Sequence, residues 1–431
     1  MMKTHQFAEL DAPARASLLA RPVGDLSQLR PAMTAMLAEV AARGDAAVRA
    51  YTLEFDGIDP AGLCVTGEEF AAARPRVDPS LRRAIADAAD GIRAFHRKQV
   101  PEDYTVETRP GVSCRLAWQP ISTVGLYVPG GSAPLFSTVL MLGIPALLAG
   151  CRNIVLCTPP ARDGAVPPEI LCAAESLGLR TVVKAGGAQA VAAMALGTAS
   201  VPKADKIFGP GNRYVTAMKS LVSQPPFNVA IDMLAGPTEL LVIADDAAVP
   251  RWVAADLLSQ AEHGADSQVV LVTPSATLAR LVGAELERLL ASTPRRAAAA
   301  AALENGYALL VRDLREAVEF SNAYAPEHLV IAAADAESIA ASVTSAGSVF
   351  LGDRSSVVFG DYAAGTNHTL PTSGLARAAG GLTVGSFMKP IFFQTVKPAG
   401  AAALVPLVAA MARAERLEAH AAAALVRTEG R

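Results

Sequence analysis

Between about residues 120 and 235 the chain alternates short β-rich runs (STVGLYV, IVLC, TVVKA and KIFG) with alanine-rich helical stretches, and glycine or proline closes each run. Strands separated by helix-length segments pair in parallel, so this region specifies a parallel sheet covered by helices. A second alternating block opens at TELLVIADD (238–246), continues through the helix of VAADLLSQAEHG and the strand QVVLVT, and runs on to SVFLGD near 353. Both blocks set an alanine- or leucine-rich helix before an apolar strand closed by Thr-Pro, at Thr158-Pro159 and Thr273-Pro274. Two similar α/β units fit this rhyme; strand-turn chemistry by itself would also produce it.

The flanks read differently. From about 28 to 100 the apolar positions fall three to four apart, as in packing helices. The last fifty residues, SFMKPIFFQTV and then PLVAAMARAERLEAHAAAALVR, read as a helical tail. At 431 residues the chain has length for about three domains and for a large core. Its 38 basic and 41 acidic residues form no dense basic block, which argues against nucleic acid as a partner. Five cysteines without a CxxC argue against a disulfide framework or a thiolate zinc site and fit a reducing cytoplasm. The N-terminus lacks the apolar run of a secretory signal. Residues 116–151 are free of charge, but Pro134, Gly143 and Pro145 interrupt them, which suits a helix buried on a sheet better than a membrane span.

Four of the six histidines lie near a polar partner: Gln260 with His263, Glu327 with His328, Asp361 with His368, and Glu415 with His420. Neutral imidazole binds divalent metals and titrates near neutral pH, so this pairing suggests one assembled site. His5 and His96, in charged helical sequence, read as exposed. Gln260 and His263 are three apart on a helix and share a face, which permits a common ion; an exposed helix carries the same pair without function. With Asp361 and His420 they would make a mixed N/O site with positions left open to substrate. Glu327 and His328 follow Pro326 at the start of a strand, where histidine suits proton abstraction and the carboxylate suits orienting it or activating water. The same dipeptide also occurs as a surface pair in a turn. The loop at 360–372, GDYAAGTNHTLPT, suits bringing Asp361 and His368 to a ligand, and Asn367 suits capping a turn. Glycine segments at 125–131, 186–190 and 209–212 follow strands, where backbone amides can approach phosphates. No GxGxxG occurs, so spacing alone establishes no nucleotide.

Taken in order, GLYVPGGSAPLFSTVLMLGIPA, GGAQA, KIFGPGN, IDMLAGPTE, DLLSQAEHG, APEHL, SAGSVFLGD, GDYAAGTNHTLPT and AERLEAH resemble histidinol dehydrogenase over about 115–420. The resemblance implies oxidation of L-histidinol to L-histidine through L-histidinaldehyde by two NAD, the last stage of histidine biosynthesis, in an enzyme with one zinc ion per subunit. At matching positions the zinc ligands fall on Gln260, His263, Asp361 and His420. Glu327 and His328 form the catalytic pair, His328 as base on the alcohol and Glu327 activating the water that adds to the aldehyde. NAD contacts fall on Tyr127, Gln189 and Asn212. Substrate contacts fall on Thr238, Gln260, His263, His328, Asp361, Glu415 and His420, with His368 an addition. Thr238 and Ala364 stand where serine is common. The implied fold is α/β, with two incomplete Rossmann-like domains of parallel sheet plus small N- and C-terminal helical segments. The segments run 1–27, 28–110 with 236–380 (zinc and Glu-His), 111–235 (NAD), and a 381–431 tail swapped in a homodimer with shared active sites. The stretch 380–396 departs from the biosynthetic pattern, and paralogues oxidise other small alcohols such as sulfopropanediol. A noncatalytic zinc- or ligand-binding protein could keep the fold, but the presence of both Glu327 and His328 argues against it.

Overall fold

A computed structural model describes residues 2–21, 26–130, 133–234 and 236–429; Gly131 of the first glycine segment lies outside them. The strands in chain order are β1 (Lys3–Gln6), β2 (Tyr104–Arg109), β3 (Val112–Pro120), β4 (Thr123–Tyr127), β5 (Asn153–Thr158), β6 (Thr181–Lys184), β7 (Lys206–Phe208), β8 (Ala230–Ile231), β9 (Glu239–Ala244), β10 (Gln268–Thr273), β11 (Tyr307–Leu310), β12 (His328–Ala332), β13 (Ser348–Leu351) and β14 (Met388–Val396).

The first alternating block folds into a parallel sheet of order β6-β5-β4-β7-β8. The second repeats that order as β11-β10-β9-β12-β13, with β1 added in parallel beside β11. Helices make the crossovers within both sheets, as parallel pairing requires. The two Thr-Pro steps end β5 and β10, equivalent strands of the two units. The charge-free stretch contributes the helix Phe136–Ala149, buried along most of its length. Pro145 within it has no N–H for the Met141 carbonyl, and the Asn367 side-chain amide donates to that carbonyl instead, at 2.7 Å. Asn367 Oδ1 also accepts from Thr369 N at 2.9 Å, so the loop residue both turns its own backbone and ties the two units together.

Several segments depart from the sequence reading. The N-terminal segment is not only helical: β1 pairs through its main chain, and His5 is half-buried edge-on to Tyr307. His96 is buried, not exposed, because the last turn of the helix Pro79–Arg97 is covered; its Nδ1 lies 2.6 Å from Gln99 Oε1. The tail begins with a strand, since β14 pairs antiparallel with β3 from Met388↔Pro120 to Val396↔Val112, and β3 pairs with β2. This antiparallel sheet is additional to the two parallel ones. The helices between Arg30 and Arg97 pack chiefly on the β4–β8 unit, because their apolar stripes (Met33, Leu37 and Val40; Ile85, Ala89 and Ile92) meet Ala190 and Met194 on one side and Leu140 and Ile144 on the other, while Gly91 and His96 also meet Ala363 and Asn367 of 236–380. The five cysteines are unpaired, and no helix among the described residues is long and apolar enough to cross a membrane.

Candidate active site

In the unit of β9 and β12 the polar residues gather at the amino ends of the strands. Thr238 immediately precedes β9, Glu327 precedes β12 and His328 is its first residue. The helix Pro250–Ala261 runs back antiparallel to the strands, so its C-terminal end brings Gln260, and His263 just beyond, to the same edge. Glu327 Oε2 accepts from the Thr238 hydroxyl at 2.6 Å and from Glu239 N at 2.8 Å. The single Thr238 proton thus goes to Glu327. Thr238 Oγ1 also lies 3.0 Å from Gln260 Oε1, a second and longer contact of the same hydroxyl.

Three imidazoles are oriented alike. Nδ1 of His328 lies 3.1 Å from Glu239 O, that of His263 3.1 Å from Ser259 O, and that of His368 2.9 Å from Asp361 O. An Nδ1–H held by a carbonyl leaves the Nε2 lone pair available for a metal or a proton. His368 Nε2 meets the Thr138 hydroxyl at 3.3 Å, and burial keeps this histidine below its ordinary pKa. Nε2 of His328 is buried without a hydrogen-bond partner and lies 3.6 Å from Asp361 Oδ1, too far for a good bond. Burial opposes charge on His328, yet the Glu327 and Asp361 carboxylates outweigh it and raise the pKa to about 10. Asp361 answers in the opposite sense: burial would raise it, but His328, His368 and His263 hold it below the usual carboxylate range.

Gln260, His263 and Asp361 therefore offer an amide oxygen, an oriented imidazole nitrogen and an anionic carboxylate, a donor set that suits a borderline cation such as zinc. They do not close a site alone, and among the described residues of one chain no three His, Cys, Asp or Glu side chains gather as a metal site. Glu415 and His420 are not brought to this edge. Both are exposed on the tail and form no side-chain hydrogen bond or ion pair with it.

The β4–β8 unit presents its opposite end. Tyr127 ends β4, Gln189 lies in the first turn of the helix Gly187–Leu196 after β6, and Asn212 caps the helix Arg213–Val222 after β7, accepting from Tyr214 N at 3.0 Å and Val215 N at 3.2 Å. The strand order reverses between β4 and β7, where open α/β sheets bind their ligands. Tyr127 and Gln189 are buried, and the Tyr127 hydroxyl accepts from Gly187 N at 3.1 Å. Gly209 has φ +118°, and a Cβ there would meet Tyr127 O at 2.1 Å, so the loop after β7 can approach β4 only as glycine. Both peptide groups of Gly209 are held: its N donates to Asp232 Oδ2 at 2.7 Å and its O accepts from Lys219 Nζ at 3.0 Å, the two side chains forming a buried ion pair.

Sequence reasoning missed Glu239, Arg21, Asp256 and the Lys219–Asp232 pair. Asp256 lies one turn before Gln260 and bonds Ser356, the residue that opens the helix Val357–Tyr362 carrying Asp361. Its i, i+4 placement with Gln260 was the one local signal; the others gain meaning only from distant partners.

The histidinol dehydrogenase family model matches residues 19–428. The histidinol dehydrogenase of Xanthomonas euvesicatoria pv. vesicatoria is 52% identical over 427 residues, 99% of each chain. That of Pectobacterium atrosepticum is 49% identical over 411 residues, covering 95% of this chain and 92% of the relative. The crystal structure of histidinol dehydrogenase from Elizabethkingia anophelis superposes with a TM-score of 0.95 at 46% identity, covering 99% of this chain and 98% of that one. A family match across nearly the whole length, with the Glu-His pair poised at the edge of a parallel sheet, means that the chain belongs to the histidinol dehydrogenase family.

Proposed function

We propose that the chain oxidises L-histidinol to L-histidine through L-histidinaldehyde, reducing two NAD, as the last step of histidine biosynthesis. Membership of the family along the whole chain supports the reaction, and one observation carries its assignment to residues: His328 Nε2 is buried, unpartnered and aimed by Glu239 O, beside a Glu327 already fixed by two donors. His328 takes the alcohol proton as the carbon gives its hydride to NAD. Glu327 takes a proton from the water that adds to the aldehyde, and the resulting hydrate gives the second hydride and leaves as the carboxylate. Tyr127, Gln189 and Asn212, at the carboxyl ends of β4, β6 and β7, would hold NAD. Zinc, when bound, supplies a template for the imidazole and amine of the substrate and takes up the Asp361 charge. Gln260, His263 and Asp361 would hold it, with His420 of the partner subunit as a fourth ligand. Bound in this way, Asp361 would pull less on the His328 proton, so that Nε2 could act as base. Thr238, His368 and the partner subunit's Glu415 complete the substrate contacts.

The stretch 380–396 no longer favours another alcohol. Phe387 is buried and stacks on Phe208 at 3.9 Å, and β14 pairs with β3, so part of this stretch serves the fold. Unpaired cysteines support a cytoplasmic setting. Purified zinc-loaded protein with limiting L-histidinol should form two NADH per substrate consumed. One NADH per substrate, or faster turnover of a different primary alcohol, would sink this reading.

A further inference from the structure

Glu239 holds both members of the catalytic pair through its main chain: its N donates to Glu327 and its O accepts from His328. Its side chain points the other way, into a site closed by the N-terminal segment. Arg21 Nε and Nη2 reach the two Glu239 carboxylate oxygens at 3.1 and 2.9 Å, with both side chains buried. The same guanidinium lies over the Tyr324 ring, 3.4 Å from its centroid, and Nη2 donates to Tyr324 O at 2.7 Å and to Ala325 O at 3.4 Å. Ala325 ends the helix Leu314–Tyr324 at φ +55°, a left-handed conformation that alanine adopts only when its surroundings impose it. That strained turn leads through Pro326 directly into Glu327 and His328. Ser373 N donates to Glu239 Oε1 at 2.5 Å, fastening the end of the loop that carries His368 to the same carboxylate. One planar cation thus joins the start of β9, which grips the catalytic side chains, to the turn that delivers their backbone. A lysine has no fork to make these contacts together.

We propose that the Arg21–Glu239 pair is a positioning device, which sets the catalytic dipeptide against its main-chain partners without touching substrate or NAD. The proposal rests on the roles given above to Glu327 and His328. Rates with L-histidinol and NAD, normalised to bound zinc, test it in Arg21→Met, Arg21→Lys and Arg21→Met/Glu239→Gln. Arg21→Met should lower kcat tenfold or more with both KM values within threefold, and Arg21→Lys should fall between it and the native chain. The double variant no longer buries an uncompensated carboxylate, so it should regain melting temperature but not kcat. A merely structural pair would show kcat recovering with the melting temperature, or a zinc-normalised kcat for Arg21→Met within twofold of native; either overturns the proposal. If Arg21→Met does not fold, Arg21→Lys and the double variant decide by the same criteria. Absence of turnover by the native chain would sink the functional reading and the device with it, whereas native turnover with undiminished variants sinks the device alone.

Discussion

Glu327 and His328 are adjacent in sequence, and the different tasks proposed for them follow from their different surroundings. Two donors converge on one oxygen of Glu327, while the free nitrogen of His328 receives none. His328→Asn keeps a group able to donate to Glu239 O but has no basic nitrogen. It should reduce alcohol oxidation by about 10²–10⁴-fold, while zinc and NAD still bind; unchanged turnover removes His328 from the role of base. Glu327→Gln can keep its carbonyl oxygen toward Thr238 and Glu239 N. It should therefore fold normally and slow aldehyde oxidation more than alcohol oxidation, measured by supplying each substrate separately. Equal losses in the two half-reactions would argue against water activation by Glu327.

At the scale of elements, the site depends on how helices and loops are pinned to strand ends. Gly209→Ala combines an unfavourable φ, which alone costs about 1–3 kcal/mol, with a clash on Tyr127 O that adds to it. It should weaken NAD binding far more than zinc binding, as titration calorimetry with each would show, and equal effects would count against the division of labour between the sheets. Asp256 joins the helix bearing Gln260 to the one bearing Asp361, and burial raises its pKa to about 6 from 3.8. A carboxyl raised on folding contributes stability below pH 3.8 that is lost as pH climbs through 6. Asp256→Asn lacks this titration, so its melting temperature should gain on that of the native chain between about pH 4 and 6; parallel curves would show that Asp256 titrates normally. The parallel strands were legible because apolar runs bounded by glycine and proline can be read within a short window. β1 (KTHQ) and β14, with Phe392 77% exposed, were not legible, because they pair at edges through main chain and bury no regular face. The Gln260–His263 spacing and the Glu-His pair were legible for the same local reason. Arg21 and the contact of Asn367 with Met141 were not, since those partners lie 218 and 226 residues away.

For the whole molecule, the tail is the part that one chain leaves unfinished. The helices Pro398–Ala414 and Glu418–Leu425 pack on each other through Ala409, Ala412 and Ala421 and leave Leu407, Val408, Met411 and Leu417 exposed. Apolar surface of that kind is what the proposed sharing of sites between two copies of the chain requires, with the tail's Glu415 and His420 reaching the other subunit. Cutting after Thr383 would remove the buried Phe387, whereas cutting after Lys397 spares it and keeps β14. The shorter deletion should give a folded monomer that binds NAD but has lost zinc and activity, checked by light scattering and metal analysis. A fully active product would refute the shared site. The order of the chain has a further consequence for how the protein is made. Residues 30–231 carry the strands β4–β8 and their covering helices, a unit whose core Leu382, Val384 and Phe387 complete later, while β1 pairs with β11, and Arg21 waits for Glu239 and Tyr324. At translation speeds of about 5–20 residues per second, roughly 15–60 s separate the emergence of β1 from that of its neighbour. During that interval the nascent chain carries an unpaired N-terminal edge beside a β4–β8 unit whose core still lacks Leu382, Val384 and Phe387, and the Glu-His dipeptide has yet to be set.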